Sequence, residues 1–167
     1  MSLLKILLII ICLNFNLYAK NNDVFSSVNT NKLYVFPDEA NDAEDDIIKL
    51  IKKSKKNIII AMYNFSYKKF AKQLVDKAKN EIKITIILDK SKIEKKDKIY
   101  KYLKNNGIIV KVVDKKMHMK IAIFDEKILV LGSSNWTKDS FKDNYELVLF
   151  TSNKKIINKA LSALDKF

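Results

Sequence analysis

The chain has 167 residues, enough for one domain, and 48% of them are hydrophobic, which is sufficient for a packed core. The formal net charge is +13 and all 32 basic residues are lysines, which favours a polyanionic partner, either nucleic acid or an acidic membrane surface. An AT-rich genome would also enrich lysine, asparagine and isoleucine. Because the chain has one cysteine, Cys12, and one histidine, His118, a zinc site of the usual Cys and His ligands is excluded.

Residues 1–19 have the composition of a signal peptide. A lysine gives a positive start, residues 6–13 are apolar, and Ala19 is a small residue before a cleavage point. An uncleaved anchor, which would associate the protein with a membrane, is the alternative. Either way we expect an exported protein, located in the periplasm, at the outer membrane or in the medium. Residues 20–34, rich in Asn, Ser and Lys, predict a linker, with a first strand near 33–36.

Residues 35–167 show helical and strand patterns in alternation, and we expect them to form the catalytic domain. The helical segments have apolar residues at helical spacing, and the strands are short apolar runs. In chain order the pattern predicts a helix at 42–53, a strand at 57–63, a helix ending near 79, a strand at 82–88, a helix at 97–105, a strand at 108–113, a hairpin turning at 125–127, a strand at 144–151 and a helix at 154–167. This alternation predicts an α/β sandwich, a mixed central β-sheet with helices on both faces.

The stretch 117–137 contains the strongest chemical signal. His118 and Lys120 are two residues apart, so in an extended strand both side chains point to the same face. The turn at 125–127 would bring the polar segment 132–135 back beside His118. Imidazole can attack phosphorus, while lysine and amide groups stabilise charge on phosphoryl oxygens. The stretch therefore predicts a site for an anionic phosphoryl group.

The spacing between these residues is long and specific. The pattern His-x-Lys, four residues, Asp, six residues, Gly-Ser-x-Asn resembles the HKD motif of the phospholipase D superfamily. The matching positions are His118, Lys120, Asp125, Gly132, Ser133 and Asn135. Segments 61–66, 84–89, 107–110, 133–137 and 144–147 are also similar to the small bacterial endonucleases of this superfamily that carry a single motif, the Nuc type.

The resemblance implies a phosphodiesterase that works through a phosphohistidine. One histidine attacks phosphorus, and a second protonates the leaving oxygen and then activates water. Because the chain has one histidine, we expect a homodimer in which two copies of His118 share one active site. The expected activity is non-specific cleavage of DNA, or of RNA as well, without a metal or other cofactor. The alternative is a phospholipase D or cardiolipin hydrolase acting on a lipid phosphodiester.

The resemblance also implies roles for the residues around His118. Lys120, Asn135 and the hydroxyl group of Ser133 are expected to hold the phosphate oxygens. Glu146 is expected to orient His118 and to stabilise its positive charge, as the acid does in a catalytic triad. The alternative for Glu146 is an exposed carboxylate on a strand.

Other residues are expected to act outside the chemical step. Asp125 and Gly132 are expected to hold the hairpin. The residues considered for substrate binding are Lys115, Lys116, Tyr63, Phe65 and Trp136. The two lysines precede the motif and would follow a nucleic-acid backbone. The aromatic rings can stack on a base or pack in the core, and for Trp136 we favour packing.

Overall fold

The computed structural model describes residues 31–93 and 97–167. The predicted signal peptide at 1–19 and residues 20–30 of the predicted linker lie outside the described residues. Within them, seven strands form one mixed sheet with helices on both faces, which confirms the predicted α/β architecture. No helix in these two ranges is long and apolar enough to cross a membrane.

Strands and helices alternate through the first part of the fold, and a hairpin follows. The strands are β1 (Asn31–Val35), β2 (Asn57–Met62), β3 (Lys83–Asp89), β4 (Ile109–Val113), β5 (Lys120–Phe124), β6 (Ile128–Gly132) and β7 (Leu147–Thr151). The helices are α1 (Ala40–Lys53), α2 (Lys68–Ala78), α3 (Lys90–Ile93), α4 (Asp97–Asn105) and α5 (Lys154–Leu164), with a 3-10 turn at Asp139–Phe141. The strand order is β1-β7-β6-β5-β2-β3-β4. β2, β3 and β4 run parallel, and the other neighbouring pairs are antiparallel.

Different helices cover the two faces of the sheet. On one face of β2, Ile60 and Met62 are fully buried, and Ile47 of α1 packs on this side. Ala61 points to the opposite face, where it joins a buried cluster with Ile157 and Leu164 of α5. Because each long helix buries one apolar stripe against the sheet, the helices and the sheet stabilise each other.

The sheet begins earlier in the chain than expected. β1 starts at Asn31, so residues 31–34 belong to the sheet and not to the predicted linker. The reason is pairing with β7, in which Asn31 lies opposite Thr151 and the hydroxyl group of Thr151 donates to Asn31 Oδ1 at 2.5 Å. This antiparallel pair supplies the backbone hydrogen bonds that a polar linker would leave to water.

Two elements differ from the prediction later in the chain. β7 starts at Leu147, three residues after the predicted beginning, because the backbone amide of Asn144 donates to the carbonyl of Asp139 at 3.2 Å and closes a turn. The short helix α3 follows β3 directly and was not predicted, since four residues carry too little periodicity to be recognised.

Candidate active site

The open end of the β5–β6 hairpin brings the motif residues together. Lys120 is the first residue of β5, His118 lies two residues before it, and Gly132 ends β6. The backbone amide of Tyr63 donates to the carbonyl of Met119 at 2.9 Å, so the β2–β5 ladder continues up to the neighbour of His118. The sheet therefore fixes the backbone from which both the imidazole and the ammonium group project.

His118 and Lys120 lie side by side in this position. Nζ of Lys120 is 3.5 Å from Nδ1 of His118, and it donates to the carbonyl oxygen of His118 at 3.1 Å. Lys120 is only 9% exposed, whereas the imidazole is exposed to solvent. An ammonium group that is shielded from water attracts an anion more strongly than a solvated one. The pair can therefore hold a phosphoryl group next to the imidazole.

The local charges favour a neutral imidazole. Desolvation lowers the pKa of His118, the positive charges of Lys120 and Lys116 lower it further, and Asp89 opposes them. Burial lowers the pKa of Lys120, and the charge of Glu146 opposes that shift. A neutral imidazole is the nucleophilic form, and a lysine ammonium group binds the oxygens of a phosphoryl group.

Tyr63 is the predicted aromatic residue that lies in the site. It follows β2, is partly buried, and its ring centroid is 4.3 Å from that of His118 with an interplanar angle of 57°. The ammonium group of Lys120 lies 5.1 Å from the Tyr63 ring centroid, and that of Lys92 lies 4.8 Å from it. Tyr63 thus forms one wall of the site and carries two cations against its ring.

Phe65 and Trp136 are largely buried and pack against each other beneath the site. Phe65 is 5% exposed and Trp136 is 3% exposed, and their ring centroids are 5.3 Å apart in a T-shaped arrangement. Trp136 also packs against Phe70 at 4.8 Å, and its carbonyl accepts from the backbone amides of Ser66 and Tyr67 at 2.9 Å. Both rings therefore contribute to the core, as favoured for Trp136, and their contact with substrate stays a prediction.

Glu146 lies against Ser133. The Ser133 hydroxyl group donates to the Glu146 carboxylate and accepts from the backbone amide of Leu147 at 3.1 Å. Nδ2 of Asn144 donates to the other oxygen of Glu146 at 3.2 Å. Within the described part of one chain, no hydrogen bond joins Glu146 to His118. Glu146 therefore contacts Ser133 and Asn144, and its expected role in orienting His118 stays a prediction.

Backbone contacts fix the segment that ends in Asn135. A Cβ atom on Gly132 would lie 2.0 Å from the carbonyl oxygen of Leu147, so β6 and β7 can approach this closely only because residue 132 has no side chain. Oδ1 of Asn135 accepts from the backbone amide of Asn64 at 3.2 Å. This contact orients the side-chain amide of Asn135. Its donor atom, Nδ2, can then bind an anion.

Asp125 lies at the opposite end of the hairpin. Its φ is 53°, and its carboxylate accepts from the backbone amides of Lys55, Lys56 and Asn57 at 2.8 to 3.2 Å. The five residues of β5, at about 3.4 Å each, place it about 17 Å from the end that carries His118. Asp125 therefore holds the chain where it enters β2 and does not contact the catalytic groups.

Two residues near the imidazole were not singled out from the sequence. Asp89 is buried at the end of β3; its Oδ2 accepts from the amide of Met117 at 2.8 Å, and its Oδ1 accepts from the amide and hydroxyl groups of Ser91 at 3.0 and 2.5 Å. Burial opposes ionisation, but the hydrogen bonds from Ser91 and Met117 hold the pKa of Asp89 below its ordinary value. Lys92 follows on α3. The available signal was topological, because the carboxyl ends of the parallel strands β2 and β3 meet at one edge of the sheet.

The two predicted substrate lysines lie on the loop between β4 and β5. Lys115 and Lys116 are exposed, and neither makes an ion pair in the part of the chain that the structure describes. The charge of Lys116 reaches His118, as its effect on the imidazole pKa indicates. The loop therefore presents two unpaired positive charges beside the site.

The assembled groups suit attack on a phosphoryl group. One imidazole and one shielded ammonium group lie side by side at the open end of the hairpin, and the side-chain amide of Asn135 is held against the backbone of Asn64. Among residues 31–93 and 97–167, no three His, Cys, Asp or Glu side chains are grouped in a way that could hold a metal ion. A single chain supplies one imidazole. The reaction calls for two groups, a nucleophile that attacks phosphorus and an acid that protonates the leaving oxygen.

A family model and two solved structures match most of the fold. The family model described as "Cardiolipin synthase, PLD-like domain" matches residues 47–167. The structure of NucT from Helicobacter pylori is 32% identical, has a TM-score of 0.74, and the match covers 83% of this chain and 95% of NucT. Nuc from Salmonella typhimurium, described as a phospholipase D family member, has a TM-score of 0.77 and is 22% identical; the match covers 83% of this chain and 93% of Nuc, and it shows a shared fold.

Two curated relatives match over part of their length. A phospholipase D of Rickettsia prowazekii is 26% identical over 117 residues, which is 69% of this chain and 57% of that protein. A mitochondrial cardiolipin hydrolase of Xenopus laevis is 24% identical over 106 residues, which is 62% of this chain and 50% of that protein. The match thus spans about half the length of these two proteins.

Proposed function

Because the chain belongs to the phospholipase D superfamily of phosphodiesterases, we propose that it is an endonuclease that cleaves DNA, or RNA as well, as a homodimer and without a metal ion. The observation that carries this proposal is the position of the shielded Lys120 ammonium group, 3.5 Å from the exposed imidazole of His118. This pair can bind a phosphodiester and attack it in the same place.

The proposed reaction has two steps. In the first, an imidazole nitrogen of His118 forms a bond to phosphorus while the bond from phosphorus to the leaving oxygen breaks. The imidazolium group of His118 of the partner subunit gives its proton to that oxygen and becomes neutral. In the second step this neutral imidazole takes a proton from water, whose oxygen attacks phosphorus and breaks the P–N bond. Lys120 and Nδ2 of Asn135 stabilise the negative charge on the phosphoryl oxygens in both steps.

A second copy of the chain supplies the missing imidazole in this proposal. Tyr145 is 91% exposed and Leu147 is 51% exposed, and both adjoin Glu146 beside the site. Leu33 and Val35 of β1 are also exposed, and Val35 pairs with Leu147 across the sheet. Such a contiguous apolar surface favours a protein contact. We assign these four residues, the β1–β7 surface, to the contact between two subunits.

Charge and the likeness to NucT support nucleic acid as the substrate. A net charge of +13, carried by lysines alone, attracts a polyanion along its whole length. The match to NucT, at 32% identity, covers 83% of this chain and 95% of NucT, so it includes nearly the whole fold of NucT. Lys115 and Lys116 lie beside the site, where they can contact the phosphates that flank the cleaved one.

A lipid phosphodiesterase is the second candidate. It is favoured by the curated relatives, which are named phospholipase D and mitochondrial cardiolipin hydrolase. The catalytic residues would be the same, since the reaction at phosphorus does not depend on what the two ester oxygens carry. In either case we propose export through residues 1–19, by cleavage or as an anchor that associates the protein with a membrane.

The test is cleavage of plasmid DNA, single-stranded DNA and RNA in EDTA by the chain without residues 1–19. His118→Ala is expected to abolish cleavage, and Lys120→Ala to reduce it by about a hundredfold or more, as the loss of a positioned charge at a developing oxyanion does. Lys127→Ala removes the same charge at the far end of the hairpin and should cleave as the wild type does.

The outcomes of the cleavage test distinguish the two candidate functions. Cleavage in EDTA that His118→Ala abolishes supports the proposal. Hydrolysis of cardiolipin vesicles without cleavage of nucleic acid would replace it with the lipid phosphodiesterase.

A mixing experiment tests the shared site. In co-refolded equal mixtures of wild type and His118→Ala, random pairing leaves about a quarter of the activity if both histidines serve each site. About a half would refute the shared site.

A further inference from the structure

Lys92 is a cation that the structure holds beside the imidazole although it lies outside the motif. Its ammonium group is 4.8 Å from the Tyr63 ring centroid, and the Lys120 ammonium group is 5.1 Å from the same centroid. The Tyr63 ring also packs against His118 at 4.3 Å. Lys92 therefore lies near the same aromatic ring that packs against the reacting imidazole.

Asp89 fixes this arrangement. One carboxylate oxygen accepts from both the amide and hydroxyl groups of Ser91, at the start of the helix that carries Lys92. The other oxygen accepts from the amide of Met117, the residue before His118. A single buried carboxylate thus ties the helix α3 and the histidine segment together. The distance between the Lys92 backbone and the imidazole is set by the fold, and this is the condition for a preorganised binding site.

The charges around the site call for an anion. Lys92, Lys116 and Lys120 all contribute positive charge that lowers the pKa of His118. Among the described residues no salt bridge involves Lys92, although its charge reaches the buried carboxylate of Asp89 and lowers the pKa of that group. Like charges held close together destabilise a fold unless a ligand of opposite charge neutralises them. Both oxygens of the Asp89 carboxylate already accept hydrogen bonds from Ser91 and Met117, so a phosphoryl group at Lys120 leaves the Lys92 ammonium group able to bind a second anionic group.

We propose that Lys92 and the ring of Tyr63 form a second subsite, which binds the nucleotide next to the cleaved phosphodiester in a nucleic-acid strand. The ammonium group contacts the neighbouring phosphate, and the ring supports the sugar or the base beside it. Both ammonium groups lie within 5.1 Å of one ring centroid. They are therefore near enough to each other to contact consecutive phosphates of one strand. The inference rests on the proposed nuclease function. It adds the residues by which the enzyme would prefer a polynucleotide to a small phosphodiester with a single phosphate.

The experiment compares two substrates of the dimeric enzyme without residues 1–19. A short single-stranded oligonucleotide occupies both subsites, whereas bis(4-nitrophenyl) phosphate occupies only the reacting one. Lys92→Ala is expected to lower kcat/KM for the oligonucleotide about tenfold, as loss of one charge-assisted phosphate contact does. The small diester should be unaffected when both substrates are assayed well above the acid limb of the pH profile, where the effect of Lys92 on the pKa of His118 does not enter. The slope of log(kcat/KM) against log salt should fall by about 0.7 for the oligonucleotide. Lys92→Arg keeps the charge and should restore most of the activity.

Lys127→Ala is the matched control, because it removes one lysine at the opposite end of the hairpin. An equal loss on both substrates, or an equal loss in Lys92→Ala and Lys127→Ala, would overturn the subsite while the nuclease function stands. If the wild type hydrolyses the small diester but does not cleave the oligonucleotide, the nuclease function fails and the subsite fails with it. A loss confined to the oligonucleotide and to Lys92→Ala supports the inference.

Discussion

Replacing Asp125 with alanine is expected to lower stability without changing the chemistry. The Asp125 carboxylate accepts three backbone amides at 2.8 to 3.2 Å, from Lys55, Lys56 and Asn57. Hydrogen bonds to a charged acceptor contribute about 1.5 to 3 kcal/mol each when buried, and two of these donors are exposed, so we expect a loss of about 3 kcal/mol. Alanine at a φ of 53° adds about 1 kcal/mol.

The predicted loss of about 4 kcal/mol in the free energy of unfolding corresponds to a fall in Tm of roughly 15 °C for a domain of this size. Trp136, the only tryptophan, is buried against Phe65 and gives a fluorescence signal for urea unfolding. Well below Tm, kcat/KM per folded Asp125→Ala molecule should equal that of the wild type. Glu126→Ala is the control, because its carboxylate accepts one exposed side-chain amide, and it should cost less than half as much.

The result that refutes this reasoning is specific. If Asp125→Ala unfolds at the same urea concentration as the wild type, the three amide contacts do not stabilise the fold. If the variant is folded but inactive, Asp125 takes part in catalysis or in substrate binding across the dimer, despite its distance from His118. Both quantities are measured on the same preparation, so loss of folded protein is not mistaken for loss of activity.

Three further predictions concern the site and the dimer. Burial and the charges of Lys120 and Lys116 lower the pKa of His118, so the acid limb of the pH profile of kcat/KM should lie below the usual pH for histidine. Lys116→Ala should move this limb to higher pH, and Lys115→Ala should move it less. Gly132→Ala should destabilise the fold by about 3 kcal/mol in urea unfolding, since its Cβ would collide with the Leu147 carbonyl, and wild-type stability would contradict the contact. Leu147→Asp should weaken the dimer in sedimentation and lower activity at low protein concentration, with recovery at high concentration; an active monomer would refute the shared site.

The sequence was sufficient for the motif and for the order of the strands and the longer helices. The fixed spacing from His118 to Asn135 indicated the superfamily, which the family match confirms, and apolar runs such as Ile84–Leu88 marked the strands. Strand ends were less certain, because β1 depends on pairing with β7, which lies more than a hundred residues later in the chain. Hydrophobic periodicity records which face is buried, but it does not record a partner that is distant in sequence.

The site could be predicted only where the motif specifies it. Lys92 is one of 32 lysines, and nothing in its sequence neighbourhood distinguishes it. Its position depends on Asp89, whose link to Met117 spans 28 residues. The sequence could not tell whether Phe65 is a core residue or faces the substrate, because an aromatic ring gives the same sequence pattern in either place. The partner of Glu146 could not be predicted, since side-chain contacts at a strand end depend on the register of β6 against β7.

The buried ammonium group of Lys120 also has a consequence for the unliganded enzyme. Without a phosphate, the fold holds that charge away from water, and the opposite charge of Glu146 offsets only part of the cost of burial. An oxyanion that enters the site pairs with the buried ammonium group and should stabilise the native state in proportion to its occupancy. Substrate binding and folding are therefore thermodynamically linked. The free energy of unfolding is lowest when the site is empty, and it rises when the anionic substrate binds.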